Sequence, residues 1–324
     1  WITRGPKTGF FSKTVKNIFN NNNNTVWLGT IDGLFLYDIV SDTIIKTFNI
    51  SNGLSDNFIT SIIKVNDDFW ISTYNGINIL KPDGKIEIID KNTGLGDNII
   101  TCLLYVNNEI WIGTKNWGIN IYNLKNKTIR SITGADGIIS NSINSISFYN
   151  NRFLIATDEG VSIYDPILDS YFNYTKTDGL AMNQVKTIIQ NPFGIWCGTV
   201  GEGISVLNPS TEEWSVFNEA QGLIDGFIFK IVEDGQYLWI GTFNGITMYD
   251  YFNKTFMNYS MDNGLPDNSI GEINVTNQYI FIGSDNNGFG YIQKNYPANE
   301  FHLSFNNIHN SLINIESLYQ VTDE

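Results

Sequence analysis

A pattern of residues returns every 41 to 43 positions along the whole chain, and no other feature restricts the fold so strongly. An apolar anchor followed by small residues reads WLGT at Trp27, WIST at Trp70, WIGT at Trp111, LIAT at Leu154, WCGT at Trp196, WIGT at Trp239 and FIGS at Phe281. A second mark keeps phase with it: NGL at Gly53, TGL at Gly94, DGI at Gly137, DGL at Gly179, QGL at Gly222 and NGL at Gly264, with TGF at Gly9 as a weaker seventh copy. Two independent marks that hold one period over seven copies define a repeat protein.

Each repeat reads as four short strands, a to d. In the second they are expected at 58–64, 69–73, 77–81 and 85–90. Alternating apolar residues broken by Gly, Asn and Asp favour strands over helices. Between b and c lies a tight turn ending in Gly (IDG, YNG, NWG, DEG, GEG, FNG, NNG), which supplies the positive φ of a short hairpin. A sandwich would place its strands in different surroundings, whereas blades set around an axis give every copy the same one. The expected fold is therefore all-β: a seven-bladed β-propeller of four-stranded antiparallel blades over 1–294, with a tail over 295–324.

Ring closure is read from register. Eight residues before each repeat Gly stands an apolar residue of strand d (Ile45, Ile86, Ile129, Tyr171, Trp214, Phe256), and eight before Gly9 stands Trp1. Trp1–Thr3 is thus expected to supply the outer strand of the last blade, which would close the ring by an N-terminal strand and remove open sheet edges. The competing candidate is 300–305, whose alternation is also strand-like.

Positions that are alike in every blade serve the blade. The anchor is expected between adjacent sheets, and the Gly two residues later lets a neighbouring backbone approach. Asn57, Asn98, Asn141, Asn183 and Asn268, with Asp56, Asp97, Asp225 and Asp267, are expected to hydrogen-bond their own turns. Strand a lines the axis, where eight residues past each Gly come Asn17, Ser61, Cys102, Ser145, Thr187, Lys230 and Glu272. Lys230 and Glu272, in neighbouring blades, are placed to neutralise each other. Cys102 and Cys197 lie in strand-like surroundings and read as small channel or core residues, not a disulfide framework.

Positions that differ between blades are where binding can reside. Because strands alternate in direction, d–a loops and b–c turns share one end of the ring. The ligand-binding candidates on that end are Tyr74, Asn75, Lys115, Trp117, Glu202, Phe243 and Asn244. Exposed aromatic rings stack on sugars or grip a protein partner, and their Asn and Lys neighbours can read hydroxyls. The alternative is that these rings only cover their own blades.

Chemistry is poorly provided for. The two histidines, His302 and His309, both lie beyond the last anchor strand, which leaves the propeller expected over 1–294 without a Ser–His or Cys–His pair or a histidine metal site. Asp158, Glu159 and Glu202 are the only pair-like acids on the loop face, whereas a glycosidase needs two carboxylates across one cleft. No catalytic residue, metal or cofactor is assigned. The net charge of −14 argues against nucleic acid and, mildly, for neutral over sulfated or uronic sugars. The absence of any 18-residue apolar run argues against direct membrane insertion.

The run from Gly53 to Ile77, GLSDNFI followed by WISTYNGI, resembles the two-component regulator propeller repeat, and the resemblance covers nearly all of 1–292. It implies an extracytoplasmic sensor, periplasmic or on the cell surface, without catalysis. Its ligand would be an oligosaccharide, or its role docking to an adjoining immunoglobulin-like domain or a dimer partner. After Pro297 the sequence reads like the opening strands of such a domain. The same resemblance leaves open a structural docking role in a cell-surface or secretion assembly, and a carbohydrate-active enzyme as a further alternative.

Overall fold

The computed structural model describes residues 12, 14–294 and 301–302. Seven four-stranded antiparallel sheets follow one another along the chain, each with its strands in the order a-b-c-d. The inner strands a are Val15–Asn20, Ile59–Val65, Ile100–Val106, Ile143–Tyr149, Val185–Asn191, Ile228–Asp234 and Ile270–Val275. In the second blade, strands a to d run Ile59–Val65, Asp68–Thr73, Gly76–Leu80 and Ile86–Ile89, each end within one residue of the position expected from sequence.

The core is a set of seven hydrophobic clusters, one for each junction between consecutive blades. Trp27 packs with Ile59 and Ile62 of the second blade, Trp111 with Ile143 and Ile146 of the fourth, and Trp239 with Ile270 and Ile273 of the seventh. Trp111 stacks on Phe153 of the next blade with ring centroids 3.6 Å apart. Each such side chain removed from water contributes roughly 1.5–3 kcal/mol, so the packed junctions bind each blade to the next.

Two further parts of the repeat have direct physical causes. The final Thr or Ser of the anchor motif is buried in every blade and donates its hydroxyl proton to the carbonyl of the Gly that ends the b–c turn. Thr73 Oγ1 to Gly76 O is 2.9 Å, and Thr199 Oγ1 to Gly203 O is 2.7 Å. The expected Asn caps are also present. Asn57, Asn98, Asn141, Asn183 and Asn268 each accept from the backbone N–H seven residues earlier, at 2.6–2.9 Å, which locks the single 3-10 turn before the repeat Gly in most d–a loops. Asp56 and Asp225 accept from the N–H of Phe58 and Phe227, two residues on.

Closure differs from the N-terminal scheme. The fourth strand of the seventh blade is Phe301–His302, which pairs with strand c through Gln293 opposite His302 and Lys294 opposite Phe301. Joining these neighbours closes a short loop, whereas an N-terminal strand would close one spanning almost the whole chain, at a greater entropic cost. These residues lie past 294, and one of the two histidines is thereby part of a blade. Trp1–Thr3 and the Gly9 copy lie outside the described residues, as does the rest of the tail. The seam between the last and first blades is sealed by side chains. Val15, Ile18 and Val26 pack against Phe281 and Phe289, and Tyr37 meets Phe289 edge-on at 4.9 Å. Thr14 Oγ1 donates to Asp285 O at 2.6 Å, and Lys16 pairs with Asp285 at 2.5 Å.

Candidate functional site: the channel mouth

Every strand a opens with a register shift against strand b, as between Ile59 and Ser61 or between Val185 and Thr187. Such a bulge places two consecutive side chains on one side of the strand. Here that side is the axis. All seven expected axial residues, Asn17, Ser61, Cys102, Ser145, Thr187, Lys230 and Glu272, line one cavity of about 500 Å³. So do the seven residues just before them: Lys16, Thr60, Thr101, Asn144, Lys186, Phe229 and Gly271. This second ring stands nearer the start of strand a, at the end of the ring that holds the d–a loops and b–c turns.

Sequence reading by strict alternation passes over the second ring. The signal for it is present, however: the buried apolar pair flanking it is spaced by three in every blade, as in Val15/Ile18, Ile59/Ile62, Val185/Ile188 and Ile270/Ile273, where an unbroken strand would space it by two.

Charges around the mouth are arranged in pairs between blades. Lys16 of the first blade meets Asp285 of the seventh, Lys115 of the third meets Asp158 of the fourth at 2.8 Å, and Lys230 of the sixth meets Glu272 of the seventh at 2.9 Å. The last pair is the neutralisation expected from sequence. Burial raises the Glu272 carboxyl above its ordinary value in spite of Lys230. Asp158 behaves in the opposite way. Burial works against its charge, yet hydrogen bonds from Lys115, Ser142 and Asn144 hold its carboxyl far below the usual range. Lys186 stands apart. Solvent reaches its side chain, but the channel walls surround it, and burial together with the charge of Lys115 pulls its ammonium below the ordinary lysine value. Among the described residues no carboxylate lies within ion-pairing distance of it. Burial pushes the Cys102 thiol up to about 11, which makes it an unreactive wall group at neutral pH.

The residues singled out from sequence take several positions. Tyr74 lines the cavity and lies flat on Phe58, with centroids 4.1 Å apart. Asn75 is tied to the loops, donating to Ser55 O and accepting from Asn98. Lys115 borders the mouth in its pair with Asp158. Trp117 lies over Gly96 of its own blade, Phe243 approaches Phe227, and Asn244 donates to Asp225. Glu202 is exposed. The structure thus gathers Tyr74 with the axial residues and keeps Asn75, Lys115, Trp117, Phe243, Asn244 and Glu202 outside the cavity lining. No group of three or more potential metal ligands occurs among the described residues, and no helix there is long and apolar enough to cross a membrane.

No family profile and no curated protein matches the sequence. Solved structures do. The extracellular domain of the putative hybrid two component system BT3049 from B. thetaiotaomicron superposes with a TM-score of 0.76 at 25% identity over 87% of this chain. The extracellular domain of BT4673 from the same organism gives 0.74 at 21%. PorZ, a surface component of the type-IX secretion system of Porphyromonas gingivalis, gives 0.64 at 14% and shows likeness of fold alone. The chain spans 39%, 38% and 37% of those three structures. By fold, then, the chain is a seven-bladed β-propeller similar to part of the extracellular domains of two-component systems.

Proposed function

We propose that the chain is a non-catalytic, extracytoplasmic sensing propeller whose channel mouth binds a small saccharide. One observation carries this reading: the bulge at the start of every strand a turns a second residue of each blade toward one cavity, and these residues vary from blade to blade among repeats that are otherwise alike. Its volume falls within the 300–1,000 Å³ of small-molecule sites. Thr60, Ser61, Thr101, Asn144 and Ser145 offer hydroxyls and an amide, and the Phe58–Tyr74 stack offers a flat apolar face, the combination that a sugar ring requires. On this reading, occupancy is passed on through an adjoining immunoglobulin-like domain or a dimer partner by different affinity for two domain arrangements. Hydrogen bonds and the Lys115 charge hold Asp158 ionised, which unsuits it as a proton donor. Titration calorimetry with a panel of neutral and acidic di- to tetrasaccharides tests the proposal. A saccharide should bind the chain unaltered in covalent structure, and Tyr74→Ala should weaken binding at least tenfold. A panel without heat or melting shift would overturn saccharide sensing.

A second reading, docking, is favoured by the opposite face. There the c–d turns expose Val40, Ile167, Leu168 and Phe252 at 76%, 79%, 63% and 70%, more apolar exposure than isolated turns need. Under it, Ile167→Asp with Leu168→Asp abolishes assembly with a partner domain and leaves saccharide affinity unchanged.

A further inference from the structure

The ring of bulge residues is uncharged except at two places, Lys16 and Lys186, and these have unlike surroundings. Lys16 is neutralised by Asp285 at 2.5 Å across the seam between the last and first blades. Lys115 and Lys230, which border or line the same space, are neutralised by Asp158 and Glu272. Of these four lysines Lys186 alone has no carboxylate within ion-pairing distance among the described residues, and it feels Asp158 only from farther away. The protein as a whole carries a net charge of −14, so a surplus positive charge at the one axial cavity runs against the general balance. An ammonium on an open surface is solvated at little cost. Lys186 is open to the water of the channel, but it faces two other lysines across the mouth, so a counter-charge placed between them is favoured.

Position adds direction. In a seven-membered ring the fifth blade faces the gap between the first and second. Lys186 thus stands across the mouth from the Phe58–Tyr74 stack of the second blade, with Phe229 of the sixth blade beside it. Gly271 of the seventh blade contributes no side chain to the wall and leaves room between. A ligand that spans the opening would meet an aromatic face at one rim and, at the other, a cation with no ion-pair partner among the described residues.

We propose that Lys186 anchors the carboxylate of an acidic sugar whose ring rests on the Phe58–Tyr74 stack, so that the channel mouth selects uronic over neutral saccharides. This deepens the saccharide-binding reading above, rests on it, and reverses the preference for neutral sugars that net charge suggests. Local charge outweighs net charge because the ligand feels the lining within a few ångströms, whereas the remote surface is screened beyond about 8–10 Å at moderate salt.

The experiment compares tri-galacturonate with the neutral galactose trimer by calorimetry, on the wild-type chain and on the Lys186→Met and Lys186→Arg variants. Inorganic phosphate at constant ionic strength, read by melting shift, is a probe independent of sugars. The acidic trimer should bind at least tenfold more tightly than the neutral one and weaken with salt. That advantage should vanish in Lys186→Met and persist in Lys186→Arg, and phosphate should stabilise the wild type more than Lys186→Met. Equal affinities for the two trimers, unchanged by Lys186→Met, would overturn the anion anchor and leave saccharide binding intact. No binding of either trimer, with a phosphate shift lost in Lys186→Met, would sink the saccharide reading and retain the anion site. No binding and no Lys186-dependent shift would overturn both. Lys186→Met removes a crowded charge and leaves every ion pair in place, so it should fold with unchanged or higher melting temperature.

Discussion

The indole of Trp117 occupies the space that a side chain on Gly96 would fill: a Cβ there would lie 1.7 Å from Trp117 Cδ1. Gly96 has no positive φ to demand glycine, so the ring alone dictates the residue. The ring nevertheless remains 51% exposed and has room to swing outward. Gly96→Ala should therefore cost about 1 kcal/mol or less, yet shift tryptophan emission to longer wavelength as the indole lifts into water. The same substitution in a Trp117→Ala background should change neither emission nor stability. Equal spectra for Gly96→Ala and wild type would mean that the indole does not rest there.

The glycine of the anchor motif faces a harder obstacle. At Gly241 a Cβ would meet the carbonyl oxygen of Ile270, in the first strand of the next blade, at 2.6 Å. Backbone cannot rotate away as a side chain can. Gly241→Ala is predicted to lower stability by about 1–3 kcal/mol in urea denaturation, by prising apart the junction between the sixth and seventh blades. The fourth blade carries Ala156 at the matching position, fully buried. Ala156→Gly should cost only about 0.5–1 kcal/mol, mainly through the unfolded chain.

Lys230 and Glu272 behave as a unit. Glu272 is nearly inaccessible, and removing Lys230 leaves its charge without compensation. Lys230→Met should destabilise by about 1–3 kcal/mol at pH 7, while the double variant with Glu272→Gln should recover most of the loss. The sign of the pH dependence follows from the raised carboxyl. A carboxyl with a folded value above its unfolded 4.5 opposes folding increasingly as pH rises from 4.5. The deficit of Lys230→Met should therefore be small at pH 4 and larger at pH 7, as read from melting temperatures in paired buffers. Identical deficits at both pH values would show that Glu272 stays neutral throughout.

Asp158 has the opposite sign. Its folded carboxyl titrates below the unfolded 3.8, so the unfolded chain binds the proton first as pH falls. Its contribution is complete above pH 3.8 and declines below it. The melting temperature should drop on going from pH 5 to pH 2, and Asp158→Asn should flatten that limb while lowering stability at pH 7. A variant with an undiminished acid limb would locate the titrating groups elsewhere.

Much of the architecture could be read before any coordinates. The period, the anchors, the small residue at each junction, the Asn caps and the seven axial residues all stand where the repeat places them, because each follows from a requirement that one blade imposes on itself or on its neighbour. Less of the cavity lining was legible. Tyr74 lines the cavity, but the candidates chosen as the variable residues of the b–c turns mostly cover loops, as Trp117 covers Gly96. The bulge ring escaped because strand reading assumes period two, although the three-residue spacing of Ile59 and Ile62 recorded it. The closing strand was misplaced because register fits two candidates, and only pairing distinguishes Phe301–His302 from an N-terminal segment.

What the sequence determined by itself is everything that repeats: local hydrogen bonding and nearest-neighbour packing act within some forty residues, so each copy states them again. What only the tertiary structure decided is the pairing of charges around the axis. Lys16 finds Asp285 across 269 residues, and Lys186 finds no ion-pair partner among the described residues. Such relations depend on which blades come to face one another when the ring closes. No single repeat contains that information.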